Sequence, residues 1–213
     1  KANGTGQIQQ SDACKSPLPD DVCGVWFTDP PYYDAIPYAD LSDFFYVWCR
    51  RTIPESPLLK DPFDPQNLLT PKKHELTVTT VESEDGIPKT RDFFEKGISK
   101  SFIEGRRILN DVGIGCIVFA HKTTEGWEAL LSGIVQGGWT IKGSWPIATE
   151  METRINARDT ASLATSIHLV CRPRPRDAPV GDWGNVLQEL PKRVGDWMER
   201  LQSEGIRGAD LVF

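Results

Sequence analysis

The stretch Cys23-Gly24-Val25-Trp26-Phe27-Thr28-Asp29-Pro30-Pro31-Tyr32-Tyr33 decides how the chain is interpreted. Its first part predicts a strand over residues 22–28, and because this run has little polar alternation we expect it to be buried on both faces. Its second part puts an acid, two prolines and two aromatic residues directly after the strand. Consecutive prolines donate no backbone hydrogen bond and hold the backbone extended. A carboxylate, a fixed carbonyl and an aromatic face at one strand end suit a flat group that carries an amino group.

Four runs extend this pattern along the chain: Thr28–Trp48, Phe119–Leu130, Trp145–Arg154 and Ser166–Arg172. Together with the Asp-Pro-Pro-Tyr motif they resemble amino-group DNA methyltransferases, which use S-adenosylmethionine. The narrower resemblance is to the large bacterial and archaeal adenine-specific DNA methylases that carry a domain of unknown function numbered 1156, and it covers roughly residues 20–172. It implies a Rossmann-like α/β sheet, of which this chain holds the C-terminal half. That sheet is mostly parallel, with an antiparallel last strand, and C-terminal helices follow it.

The resemblance implies a mechanism for the motif. The exocyclic nitrogen of adenine is a weak nucleophile because its lone pair is delocalised into the ring. The Asp29 carboxylate and the Pro30 carbonyl accept hydrogen bonds from the two amino N–H groups. These hydrogen bonds localise the lone pair on the amino nitrogen, which then attacks the sulfonium methyl in line. Tyr32 stacks on the adenine after the base has left the duplex. The predicted catalytic residues are Asp29, Pro30, Pro31 and Tyr32.

The resemblance also suggests binding residues. Those predicted for S-adenosylmethionine are Asp29, Tyr38 and Asp40. Asp40 has a second interpretation, because an acid in the first turn of a helix complements the helix dipole. Those predicted for the DNA substrate are Tyr33, Lys122, Arg154 and Arg158. The two arginines lie in a loop over 151–161 and face DNA or a partner domain. The alternative is that this loop is solvated and binds nothing.

A glycine-rich cofactor turn is not evident in the sequence, and the resemblance places that turn upstream of the motif. We therefore expect the cofactor half on an N-terminal part of the same protein that precedes Lys1, or on a partner subunit. Two alternatives stay open. The chain is an RNA or protein amino-methyltransferase with the same motif, or a non-catalytic nucleic-acid-binding or assembly module of a modification or defence system.

Composition bounds the class of protein. The chain has 213 residues, of which 39% are hydrophobic and 25% charged, as is typical of a globular protein. No apolar run reaches the roughly 18 residues of a membrane span, and we expect no membrane partner. The five cysteines include no Cys-x-x-Cys pair, so zinc-ribbon spacing is absent and we expect no metal site. Three of them, Cys49, Cys116 and Cys171, fall in apolar segments, which favours free thiols in a reducing compartment, and we expect the cytoplasm. The net charge of −6 argues against strong unaided DNA binding.

The elements follow from periodicity and turn residues. A polar entry segment covers 1–20, the catalytic segment covers 21–172 with an irregular proline-rich insertion at about 53–90, and a proline-rich spacer with a helical extension covers 173–213. Apolar residues three and four apart predict a helix over 38–52 with one wide apolar face. Two further helices are predicted over 90–111 and 125–136, and Thr124 caps the second. Strands are predicted over 112–120, 139–150 and 162–172. Two C-terminal helices, over 183–190 and 192–204, are expected to pack on the domain or on a neighbour. An incomplete sheet exposes an apolar edge, so we expect the isolated chain to self-associate.

Overall fold

The computed structural model of the chain describes residues 6–61, 63–79, 88–148 and 165–205. These residues form an α/β fold with one mixed sheet of four strands. The elements in chain order are β1 (Cys23–Thr28), α1 (Tyr38–Thr52), α2 (Arg91–Ile108), β2 (Leu109–Phe119), α3 (Thr124–Gln136), β3 (Trp139–Ala148), β4 (Thr165–Pro173) and α4 (Trp183–Ser203), with short 3-10 turns at Pro57–Leu59 and Lys72–His74.

The strands lie in the order β1-β2-β4-β3. β1 pairs in parallel with β2, and β4 is antiparallel to both of its neighbours. β1, β2 and β3 therefore run in one direction, and β4, the last strand along the chain, runs against them. These pairings confirm the prediction of an α/β fold. The prediction of a mostly parallel sheet is not confirmed, because one strand pairing is parallel and two are antiparallel. The carboxyl ends of β1 and β2 lie at the same edge.

One face of the sheet carries the core, because α2 and α3 pack against each other and cover that face. Phe94, Ile98 and Phe102 of α2 are at most 1% exposed. Burying each such side chain stabilises the fold by about 1.5–3 kcal/mol. The indole of Trp139 donates a hydrogen bond to the Phe102 carbonyl at 2.9 Å and stacks on Trp26 at 5.1 Å. The two indoles thus tie β1, β3 and α2 together.

Two glycines allow this close packing. A Cβ atom at Gly115 in β2 would lie 2.6 Å from the Trp139 ring, and one at Gly105 in α2 would collide with the Trp26 ring. Side chains at these positions would push the indoles off the sheet. Gly115 therefore serves the packing of the aromatic layer.

The prediction that β1 is buried on both faces is wrong. β1 lies at one end of the described sheet, where it pairs with β2 alone, and α2 and α3 cover only one of its faces. Val25 and Phe27 point to the other face and are 65% and 61% exposed. On the same open face Trp145 of β3 is 61% exposed. An apolar run alone does not distinguish a central strand from one at the end of a sheet.

Helix α1 has the predicted bounds, but its apolar residues are not buried. Leu41, Phe44, Phe45 and Trp48 are each more than half exposed. Ala39 is the buried residue of the helix. The wide apolar side of α1 therefore forms an exposed patch beside the motif.

Smaller differences concern the ends of elements. The cap of α3 is Thr123, which has an extended backbone and whose hydroxyl oxygen accepts the Gly126 N–H, so Thr124 is the first helical residue. α2 ends at Ile108, because Leu109 already takes an extended conformation. α4 is one helix rather than two, and Pro191 lies inside it. No helix in the described ranges has the length and apolar character that crossing a membrane requires.

Candidate active site

The Asp-Pro-Pro-Tyr motif lies directly after β1, at the edge of the sheet where β2 also ends. Thr28, the last residue of β1, pairs with Ile117, two residues before the end of β2. Binding sites in open α/β sheets lie outside the carboxyl ends of parallel strands. The motif thus occupies the position in the fold where ligands bind.

Asp29 presents a free carboxylate at this edge. Its side chain is exposed, and within the described ranges no group donates a hydrogen bond to it or forms an ion pair with it. Its negative charge acts on the phenol of Tyr38, the first residue of α1. Burial, and after it the negative charges of Asp29 and Glu75, raise the pKa of the Tyr38 phenol above its ordinary value. Tyr38 therefore keeps its proton as a hydrogen-bond donor at neutral pH.

Two clefts open beside the motif. The smaller one has a volume of about 330 Å³ and is lined by Asp29, Pro30, Pro31, Tyr32, Tyr38 and Glu75. The larger one, about 1010 Å³, shares all of these residues except Tyr32 and extends to α2 and to residues 11–14 and 70–76. Asp29, Pro30 and Pro31 thus line both clefts, and Tyr32 lines the smaller one.

The two tyrosines of the motif lie in different places. Tyr32 is half-buried, packs edge-on against Phe119 at 5.4 Å and borders the smaller cleft. Tyr33 is 8% exposed and packs between Phe94, at 5.1 Å, and His121, at 5.5 Å. Burial raises the pKa of its phenol. The predicted substrate residue Tyr33 is therefore a core residue whose ring borders neither cleft.

The predicted cofactor residue Asp40 does not border either cleft. It is exposed, and its carboxylate lies 3.5 Å from the Lys72 ammonium. Asp43, one turn later, accepts hydrogen bonds from Lys72 and from the Thr70 N–H and hydroxyl, the last two at 2.9 and 2.5 Å. Burial alone would raise the pKa of Asp43, but these hydrogen bonds outweigh burial and lower it. Both acids thus fasten α1 to the segment at 70–72.

Glu75 joins the same segment to the motif. Its carboxylate accepts the Ala39 N–H at 2.9 Å, which caps α1 where the N-cap residue Pro37 provides no side-chain bond. Its other oxygen lies 4.0 Å from the ammonium of Lys89, which is 6% exposed and donates to the Lys72 carbonyl at 2.5 Å. Glu75 also lines both clefts. Part of the irregular insertion therefore forms a wall of the site.

The remaining predicted substrate residues are not brought to the clefts. Lys122 is exposed beyond the end of β2 and borders neither cavity. Arg154 and Arg158 lie outside the described residues. Across the parts of the chain that the structure describes, no three His, Cys, Asp or Glu side chains are grouped so as to hold a metal ion.

Sequence reasoning missed Asp34, Glu75 and His121. The runs that carry the family resemblance contain Asp34 and His121, and this was the available signal. Glu75 had no signal, because only the path of the insertion brings it to the motif. Comparison of the chain with protein-family models finds no match, and comparison with curated proteins finds none.

Proposed function

We propose that the chain is the catalytic part of an S-adenosylmethionine-dependent methyltransferase that acts on the exocyclic N6 of adenine in DNA. The observation that carries the proposal is the Asp29 carboxylate at the carboxyl end of β1, which has no hydrogen-bond or ion-pair partner among the described residues and lines both clefts. A carboxylate without a structural partner contributes little to the fold, which favours a role in binding or chemistry.

The topology supports the same function. The sheet has three strands in one direction and a last strand that runs antiparallel between β2 and β3. This agrees with the C-terminal half of a Rossmann-like methyltransferase sheet, which the sequence resemblance implies. In that arrangement the motif follows a parallel strand at the ligand-binding edge.

The residues of the motif take separate roles in this proposal. The Asp29 carboxylate and the Pro30 carbonyl accept hydrogen bonds from the two N–H groups of the amino group and orient its nitrogen. The Tyr32 ring, at the smaller cleft, stacks on the extruded base. Pro31 keeps the backbone extended between them. The backbone of the motif follows directly from β1, so in this proposal positioning provides much of the rate enhancement.

In this proposal the larger cleft, of about 1010 Å³, receives the cofactor. Asp29 and Tyr38 border that cleft and would hold S-adenosylmethionine, whereas Asp40 is engaged with Lys72. When bound, the cofactor supplies an electrophilic methyl group. The open face of the sheet beside β1, with Val25 and Phe27, is the surface on which a cofactor-binding half of the same protein or a partner subunit would pack. Such a partner would also supply basic contacts to DNA, because the chain itself carries a net charge of −6.

The experiment incubates the purified full-length protein with methyl-labelled S-adenosylmethionine and, separately, with DNA, RNA and protein extract. We expect label in DNA, and after digestion in N6-methyladenine. Asp29→Ala should transfer no label, and Asp111→Ala serves as its matched control, because Asp111 is an exposed acid paired with Arg106 away from the motif. Label in RNA or in protein glutamine would show that the substrate is RNA or protein rather than DNA. No transfer to any acceptor by the full-length protein would favour the non-catalytic nucleic-acid-binding or assembly module.

A further inference from the structure

His121 is a buried imidazole at the same sheet edge as the motif. It lies two residues beyond the end of β2 and is 4% exposed. Its ring stacks on Phe119 at 6.1 Å, and Gly126 of α3 approaches so closely that a Cβ there would collide with the imidazole. The ring is therefore held in one orientation by both sides of its pocket.

The hydrogen bonds of His121 identify its tautomer. Nδ1 accepts the Thr123 N–H at 3.2 Å and lies 3.1 Å from the Thr123 hydroxyl. A nitrogen that accepts a hydrogen bond carries no proton, so in the neutral ring the proton is on Nε2. Nε2 lies 2.9 Å from Asp34 Oδ1. The imidazole thus donates to a carboxylate that is otherwise 57% exposed.

Asp34 belongs to the turn that ends the motif. In this turn the Tyr33 N–H donates to the Pro31 carbonyl at 3.0 Å, and the Ala35 N–H donates to the Tyr32 carbonyl at 2.9 Å. Tyr33 has a φ of +55°, a region that residues with a side chain rarely adopt. A turn with such a residue persists only where its surroundings hold it.

We propose that His121 and Asp34 are positioning residues. Their hydrogen bond fastens the turn at 33–35 to the end of β2 and so keeps the Asp29 carboxylate, the Pro30 carbonyl and the Tyr32 ring in the orientation that the substrate needs. The inference rests on the proposed methyl transfer. Neither residue lines the clefts, so they act through the motif rather than on the base.

The first arm of the test measures kinetics of the full-length protein. Asp34→Ala removes the acceptor, whereas Asp34→Asn keeps an oxygen that accepts the imidazole proton. We expect Asp34→Ala to lower kcat for DNA methylation by about 100-fold, the effect of a small misplacement of reacting groups, with KM for S-adenosylmethionine little changed. Asp34→Asn recovers most of kcat. Asp111→Ala, a change at an exposed acid far from the motif, stays at the wild-type value.

The second arm measures amide hydrogen exchange by mass spectrometry and needs no activity. We expect the amides of residues 32–35 to exchange faster in Asp34→Ala than in the wild type and at the wild-type rate in Asp34→Asn. His121→Gln, whose side-chain amide nitrogen lies near the position of Nε2, should also retain slow exchange, and His121→Leu should lose it. Because Asp34 is exposed, its variants fold even if those at His121 do not.

The outcomes separate the two proposals. If amide exchange is faster in Asp34→Ala but the wild type transfers no methyl group, the hydrogen bond still holds the turn and the proposed function is overturned. Wild-type exchange in Asp34→Ala, or wild-type kcat in an active enzyme, would overturn the positioning role. Equal loss in Asp34→Ala and Asp34→Asn would also overturn it, because the hydrogen bond would then not be the cause.

Discussion

Tyr32 and Tyr33 are adjacent in the sequence, but their rings serve different parts of the molecule. The Tyr32 ring borders the smaller cleft, and the Tyr33 ring packs in the core between Phe94 and His121. The left-handed backbone at Tyr33 produces this division, because it turns the chain sharply after the prolines. Only one of the two aromatic side chains is therefore available to a base.

This division predicts opposite effects of the two alanine substitutions. Tyr32→Ala should weaken binding of DNA by about 1–3 kcal/mol, the usual effect of a lost base–aromatic contact, and cost less stability than Tyr33→Ala, because Tyr32 is only half-buried. Tyr33→Ala should lower the free energy of unfolding by about 3–5 kcal/mol, as for other large-to-small core changes. Binding titrations and urea unfolding measure the two effects. If DNA with an abasic target site binds both Tyr32→Ala and the wild type equally well, the lost contact is with the base; a difference that persists there would contradict stacking.

At the scale of elements, the site depends on how the irregular insertion is fastened to α1. Asp43 binds Thr70 and Lys72, and Glu75 caps the helix at Ala39. These contacts place Glu75 in the lining of both clefts. The geometry of the site therefore depends on carboxylates far from the motif in sequence.

The lowered pKa of Asp43 gives this attachment a pH dependence. A carboxyl whose pKa is lower in the folded state stabilises the fold fully above its unfolded pKa, about 4, and loses that contribution as the pH falls through the folded value. Asp43→Asn should therefore cost about 1.5–3 kcal/mol at neutral pH, with a smaller cost at about pH 3. Urea unfolding at both pH values measures the difference.

Asp92→Asn is the matched control for Asp43→Asn. Asp92 pairs with Lys96 on the surface of α2, where both side chains are 70% exposed. Such a pair contributes between zero and about 1 kcal/mol. An equal cost of Asp43→Asn at both pH values, or a cost no larger than that of the control, would contradict the role given to Asp43.

The elements show what local sequence determines. The bounds of α1 and the position of the motif after β1 were predicted from periodicity and proline, because both depend on neighbouring residues. Pro191 predicts a helix end, but α4 continues through it, and the apolar residues on both sides of Pro191 share one face of this helix. The exposure of Val25 and Phe27, and the arrival of Glu75 and His121 at the motif, depend on which distant segments pack there. A local sequence pattern therefore predicts neither this exposure nor these positions.

At the scale of the whole molecule, the described chain leaves large apolar surfaces uncovered. They include the open face of the sheet with Phe27 and Trp145, the outer side of α1 with Phe44 and Phe45, and one side of α4. Contiguous apolar patches of this kind mark surfaces that contact other polypeptides. These surfaces of the described residues favour the proposal that the chain packs on a further domain or subunit.

These surfaces predict self-association of the 213-residue chain. Light scattering at increasing concentration should give a weight-average mass that rises above the 23.8 kDa of the monomer. Phe27→Lys on the open sheet face should reduce the association, whereas Lys100→Ala, at an exposed polar position of α2, should not. A monodisperse monomer at high concentration would contradict the prediction.

The measurement that tests the central claim most directly is the nucleoside content of DNA from cells that express the full-length gene, by mass spectrometry, with wild type beside Asp29→Ala. We predict N6-methyladenine in the wild type and none in the variant, because the Asp29 carboxylate orients the reacting amino group. N4-methylcytosine would keep the role of Asp29 and change the base. N6-methyladenine at equal levels in both, or no modified base in either, would contradict the assignment of Asp29 as the catalytic carboxylate of a DNA methyltransferase.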